Sequence, residues 1–212
     1  SVIALVSMLG MVLGVTSLIT VLSVMNGFGG ELRGRILSLV PHGFVESPSG
    51  GISEWQPLAK KIESMESVLA VSPYISDKVI FANGRTLRGG VLTAIDPAME
   101  ARVSRIPEAM ISGSLDSLAQ PGFSVVLGAS MARILRVRVG DKLEVTVPRL
   151  TVTPLGVFPR SKRLTVTGVF EVGAQPDTYQ AYISLPSGQK LLGPRTGVDG
   201  LQLKTVDLYS AP

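Results

Sequence analysis

The first 30 residues, Ser1 to Gly30, carry no charged side chain. Within them, Val2 to Met25 is one apolar run, roughly 36 Å long as a helix at about 1.5 Å per residue. A bilayer core of about 30 Å needs about 20 such residues, and the core helix of a soluble domain rarely runs so far without a charge. A transmembrane helix is therefore expected. A secretory signal would need a basic leader, an apolar stretch of about 7–15 residues and a small-residue cleavage site; none is present. Gly10 and Gly14 form a GxxxG, and Ser7, Ser17 and Thr20 add small positions that let membrane helices approach closely. Beyond the span, Phe28, Leu32, Ile36 and Val40 recur at i, i+4, with Glu31, Arg33 and Arg35 on other faces. The helix is expected to continue past the membrane until Pro41 ends it. A first residue of Ser rather than Met suggests a chain whose start is missing.

The remainder of the 212 residues is long enough for one large domain or two small ones. A net charge of +4 raises the possibility of nucleic acid, but there is no basic helix, no Cys/His finger and few aromatic residues to stack on bases. The absence of cysteine excludes a disulfide framework and a thiolate zinc site.

From Pro41 the patterns alternate between strand and helix. Gly43 to Ser47 reads as a strand and 48–51 as a turn; Ser53 with Gln56 suggests a capping box for a helix through Glu63. Asn83-Gly84 between two apolar runs marks a hairpin. Asp96-Pro97 opens a short helix to Arg105. A strand at 125–127, a helix over 129–135, a turn at Gly140-Asp141 and a strand at 143–147 follow. After them come an alternating strand in which Leu164, Val166 and Gly168 face away from Thr165 and Thr167, and then strand, helix and strand. The expected fold is a mixed α/β (α+β) domain of two subdomains, preceded by one long transmembrane helix. Its boundaries are 1–40 and 41–212, with 96–160 as an inserted subdomain.

Catalytic chemistry finds little support. His42 is the lone histidine and lacks the further ligands a metal needs. The stretch 128–132 approaches a nucleophile elbow, but its fifth residue is Ala132, and Ser130 falls within the expected helix. Asp96, Glu100, Asp141 and Glu144 form no paired-carboxylate motif, and no P-loop occurs. No metal or cofactor is expected.

The stretch 150–166 is harder to place. Strand-like ends flank Pro154, Leu155, Gly156, Val157, Phe158 and Pro159, which form an apolar, proline-stiffened loop. Prolines reduce the freedom lost on binding, and a projecting Leu or Phe can enter a pocket on a partner. Together with "LGVTSLITVLSVMNGFGGELRGRIL", "VPHG" and "VVLGASMARILRVRVGDKLEVTVP", the stretch "TPLGVFPRSKRLTVTGVF" resembles the permease subunits of the lipoprotein-releasing ABC transporter, the LolC/LolE family, with a MacB-like periplasmic domain. "VPHG" is similar to the E-type subunit; Thr153-Pro154, Gly156, Pro159, Ser161 and Arg163 match the C-type hook.

The resemblance implies a non-enzymatic permease in the bacterial inner membrane with 41–212 in the periplasm. It implies extraction of lipoproteins, their transfer to the soluble chaperone LolA through a hook loop at 148–162, a second permease subunit, and ATP hydrolysis on a LolD-type cytoplasmic subunit. Pro154, Leu155, Gly156, Val157, Phe158 and Pro159 would form the hook, with Lys162 and Arg163 as a polar pad. A third pad position is basic in the family, whereas the nearest match here is Glu144. Val21, Val24, Met25 and Phe28 share one helical face, and the resemblance makes that face the contact for lipoprotein acyl chains. Two other readings stand beside this one: a MacB-like mechanotransmission permease with another cargo, and a membrane-anchored periplasmic sensor or binding module.

Overall fold

A computed structural model describes residues 2–32, 43–48, 50–153, 156–192 and 197–205, and for 28–32, 149–153 and 156–158 the backbone alone. The chain divides into two units, 1–38 and 39–212. In the first, α1 spans Val2–Leu32, and its Val2–Gly27 portion is long and apolar enough to cross a membrane. Every side chain from 2 to 27 is exposed, as a span that meets lipid or other membrane helices requires. The Thr20 hydroxyl donates to the Thr16 carbonyl at 2.8 Å, so it needs no partner outside the helix. The helix runs through Gly27, Gly29 and Gly30 to Leu32; the expected continuation through Ile36 and Val40 to Pro41 and His42 lies outside the described residues.

In the second unit the order is β1 (Gly43–Glu46), α2 (Trp55–Glu63), β2 (Val68–Asn83), β3 (Thr86–Ile95), α3 (Pro97–Val103), β4 (Met110–Gly113), β5 (Ser124–Gly128), α4 (Ala129–Leu135), β6 (Lys142–Thr153), β7 (Gly156–Phe170), α5 (Pro176–Tyr179), β8 (Gln180–Ser184), α6 (Leu185–Leu191) and β9 (Gly200–Thr205). Short 3-10 turns at Ile106–Ala109 and Leu115–Ala119 flank β4. The strands lie in the order β1-β9-β2-β3-β8-β5-β7-β4, and β6 joins β2 to β7. The pairing β2-β3-β8-β5-β7-β6 therefore closes on itself. Where β2 meets β6 the strands alternate: Val79 and Phe81 are buried while Lys78 and Ile80 face out, and Leu143, Val145 and Val147 are buried while Glu144 is exposed. Met131 of α4 enters the same core beside Phe81 and Gly90. A second, smaller core gathers Ile95, Ile106, Leu115, Leu118, Val126 and Phe170.

Local chemistry explains most element ends. The β2–β3 hairpin closes on Gly84 and Arg85, since Asn83 pairs with Thr86. Gly84, with φ +58°, takes the first central position, where a II′ turn needs glycine. The Asp96 carboxylate accepts from the Ala98 and Met99 amides at 3.0 and 3.2 Å and caps α3. That helix stops at Val103 rather than Arg105, because the chain turns extended at Ser104 before a short 3-10 turn begins at Ile106.

Two expectations need correction. The capping box at Ser53 does not form: α2 begins at Trp55, and Glu54 at its N-cap makes no capping hydrogen bond. Ile52 is instead held extended by a bridge to Val198, with amide–carbonyl distances of 2.7 and 3.0 Å, which moves the helix start onward. The region 148–162, expected as a loop, is mostly ladder. β6 continues to Thr153 and β7 resumes at Gly156, so cross-strand pairing absorbs residues that composition assigns to a loop.

Candidate partner-binding and membrane sites

The long β6–β7 hairpin has a root and an arm. At the root, β6 pairs with β2 through Glu144–Thr146, and β7 pairs with β5 from Thr165 onward. Further out the two strands pair only with each other among the described residues. The register shifts between Val147 and Leu150, a bulge that bends a hairpin and increases its twist. Beyond it, Leu150 stands opposite Pro159, Thr151 opposite Phe158, Val152 opposite Val157 and Thr153 opposite Gly156. This is about 10 Å of two-stranded arm. Pro154 and Leu155, at its end, lie outside the described residues, as do the side chains of Val157 and Phe158. Pro148 and Pro159 are exposed. Each sits where a strand has one neighbour at most, so a missing N–H leaves no gap in the ladder.

Period-2 geometry separates the two pad candidates. Lys162 pairs with buried Val145, and Arg163 pairs with exposed Glu144, so Lys162 and Arg163 point to opposite faces. On the outer face, Arg163 has the acidic Glu144 directly across, and the Thr146 and Ser161 hydroxyls are hydrogen-bonded at 2.7 Å. On the inner face, Lys162 continues the row begun by Leu164. Its ammonium lies 4.6 Å from the centroid of the Phe123 ring, a cation–π contact. The sequence offered no signal for Phe123: the partner is remote along the chain, and only the pairing of β5 with β7 brings it near.

The membrane face is simpler. Val21, Val24 and Met25 are each about 60–65% exposed on α1, on one side of the helix. Phe28 continues their spacing in the helical backbone.

Elsewhere, the acidic groups beside β1 and on α3 are engaged within the fold. A cleft of about 610 Å³ beside β1 contains Glu46 and Asp199. Glu46 accepts from the Tyr74 hydroxyl, and Asp199 accepts from the Ser76 amide at 2.9 Å. Burial, reinforced by Glu46, pushes the Tyr74 hydroxyl far above its ordinary range, so it stays a donor. Glu100 is buried on α3; burial raises its carboxyl above the usual value, while hydrogen bonds from Ser72 and Ser104 act the other way. Among the described residues no three His, Cys, Asp or Glu side chains gather as metal ligands, and Ser130 lies within α4.

A helix whose Val2–Gly27 portion is apolar enough to cross a membrane, followed by an α+β domain with a long two-stranded hairpin, defines a membrane-anchored protein of mixed fold. A model of the MacB-like periplasmic core domain matches residues 4–208, and the chain belongs to that family. It is 36% identical over 213 aligned residues to the lipoprotein-releasing system transmembrane protein LolC of Neisseria meningitidis serogroup B, covering 100% of this chain and 51% of that protein. It is 30% identical over 210 residues to LolE of Haemophilus influenzae, covering 97% of this chain and 50% of that protein. The chain thus spans about half the length of the curated relatives it matches. Among solved structures, the extracellular domain of the noncanonic ABC-type transporter YknZ from Gram-positive bacteria superposes with a TM-score of 0.51 at 9% identity, covering 77% of this chain and 81% of that one. That likeness concerns the fold alone. The family and the apolar helix place the protein in the bacterial inner membrane with its globular unit in the periplasm.

Proposed function

We propose that this chain works within a permease subunit of an ABC transporter that extracts lipoproteins from the inner membrane and passes them to the chaperone LolA through the β6–β7 arm. The observation that carries the reading is the projecting, proline-bearing hairpin in a chain that aligns along its whole length with LolC. The arm's end, Pro154 to Pro159, is the hook that enters a pocket on LolA. Because Lys162 and Arg163 face apart, Arg163 supplies the pad on the outer face while Lys162 is held on the inner one. Val21, Val24, Met25 and Phe28 receive acyl chains as a lipoprotein leaves the bilayer. A flexible, polarizable Met suits a surface that accepts varied chains. A second permease subunit faces this helix, and a LolD-type ATPase in the cytoplasm supplies the work. The division into 1–40 and 41–212 follows this scheme; of the proposed insert 96–160, Ile106, Leu115, Leu118 and Val126 join a smaller core that also takes Ile95 and Phe170.

The decisive experiment is capture of purified LolA by the protein carrying Leu155→Asp or Phe158→Asp. Each is expected to weaken binding by at least about 2 kcal/mol, as for a buried apolar anchor. Unchanged capture by both variants would remove the hook from the mechanism.

A further inference from the structure

One residue outside the hairpin grips the root of its arm. Phe123 lies in the connection that leads into β5. Its carbonyl accepts the Thr165 amide at 2.9 Å, and its ring carries the Lys162 ammonium at 4.6 Å from the centroid. The next residue, Ser124, begins the β5–β7 ladder at Thr165, so Phe123 marks the point where β7 parts from β5. Behind it the chain is tied down. The Ser184 hydroxyl donates to that of Ser187 at 2.9 Å, and the Ser187 hydroxyl donates to the Gly122 carbonyl at 3.1 Å. Both serines are buried. A hydrogen-bonded path therefore runs from the β8–α6 junction through Gly122 and Phe123 to β7. On another side Phe123 borders a cavity of about 480 Å³ with Leu118, Pro121 and Pro186, which leaves its ring room to move if its seat under Lys162 is lost.

We propose that Phe123 is a positioning residue for the arm, fixing the angle at which the β6–β7 hairpin leaves the sheet. Its two contacts grip β7 at residues 162 and 165, about 10 Å apart along the strand, and two separated points define a direction where one would not. Just beyond this grip the arm is a two-stranded ribbon, the form of sheet whose twist varies most, and the bulge between Val147 and Leu150 adds a bend. Without the ring's hold on Lys162, the arm's direction rests only on backbone ladders at its root, β6 to β2 through Thr146 and β7 to β5 from Thr165. Phe123 itself touches no partner; it decides where the binding end is held. The part of this that concerns LolA rests on the functional reading above, and the part that concerns arm geometry does not.

The chain has no cysteine, so Glu66→Cys on the body and Pro159→Cys on the arm accept spin labels without background. Distances between them are measured in the full chain in nanodiscs, with no partner present. The distribution is expected to be narrow in the labelled parent and to shift or broaden in Phe123→Ala. Phe123→Tyr keeps the aromatic face and should restore the parent distribution. Lys162→Met keeps the aliphatic stem, removes the ammonium, and should move the distribution in the same direction by less; it decides the matter if Phe123→Ala fails to fold. In unlabelled protein without the two cysteines, LolA capture by Phe123→Ala should fall about two- to fivefold, the scale of one exposed cation–π contact. Distances unchanged from the parent in folded Phe123→Ala, or in Lys162→Met should the first not fold, overturn the positioning role whatever happens to capture. Shifted distances with undiminished capture uphold the positioning role and count against the chaperone reading instead.

Discussion

Gly188 sits in the middle of α6, where the helix meets β3. A Cβ built there lies 2.1 Å from the Cβ of Ala94, whereas carbon atoms in contact stand about 3.5–4.0 Å apart. Two effects compete in Gly188→Ala. Replacing glycine by alanine in a helix interior stabilises by about 1 kcal/mol on propensity alone. Against that, α6 must retreat by about 1.5 Å to restore contact distance, from a strand where Ala94 is fully buried. Overpacking of this kind costs about 1–3 kcal/mol, and the retreat also loosens Leu185 and Leu191, which belong to the main core. An approach this close belongs to the upper part of that range, about 2–3 kcal/mol, so packing wins and a net loss of about 1–2 kcal/mol is expected. Ala94→Gly removes the opposing methyl group and costs about 0.5–1 kcal/mol by itself in a strand. Combined, the two substitutions should be more stable than the sum of their separate effects by at least about 1 kcal/mol. The assay is urea unfolding of both single variants and the double, followed by fluorescence of the one tryptophan, Trp55, which packs against the main core. A Gly188→Ala protein as stable as the parent, or a cycle that sums without coupling, would refute the close-approach argument.

Three further outcomes are expected. Glu100→Gln tests a buried acid: burial raises the folded-state value above the ordinary 4.5, so the stability contributed by the neutral carboxyl is present below 4.5 and is lost as pH rises through the folded value. Gln cannot ionise, so the variant should melt close to the parent at pH 4 and above it at pH 8; parallel melting curves across that range would mean that folding leaves the Glu100 carboxyl unshifted, against burial as its perturber. A photocrosslinker at Met25 should capture lipoprotein in membranes more strongly than one at Leu22, on a flanking face, and equal yields would reduce the Val21–Val24–Met25 face to general lipid exposure. A flexible Gly-Ser insertion after Leu32 should leave LolA capture intact and abolish ATP-driven lipoprotein release from reconstituted vesicles, because a rigid element transmits motion that a loose one dissipates. Full release with the insertion would make α1 a tether only.

Much of this protein is written in short stretches of its sequence. The uncharged run from Val2 needs no partner to be read, because a helix satisfies its own backbone and the side chains alone decide its solvent. Gly84 and Asp96 act through groups within three residues of themselves, so the hairpin and the α3 cap are legible locally. Alternation in 164–168 reads correctly for the same reason: the period is a property of one strand.

What the sequence left undetermined is whatever depends on a second segment. Pro154 and Pro159 break every local pattern, so 148–162 looks like a loop; the ladder from Leu150–Pro159 to Thr153–Gly156 exists because two strands meet, and neither strand announces the other. Ser53 looks like a helix cap until Val198 arrives from the far end of the chain and draws Ile52 into a bridge. Lys162 and Arg163 read as one basic pair, yet the pleat sends them to opposite faces once the strand is known to include both. The seat of Lys162 on Phe123 is the extreme case. Side-chain period and turn chemistry are local and survive in sequence, whereas pairing register and the closure of β6 between β2 and β7 are choices among remote partners that only the packed core makes.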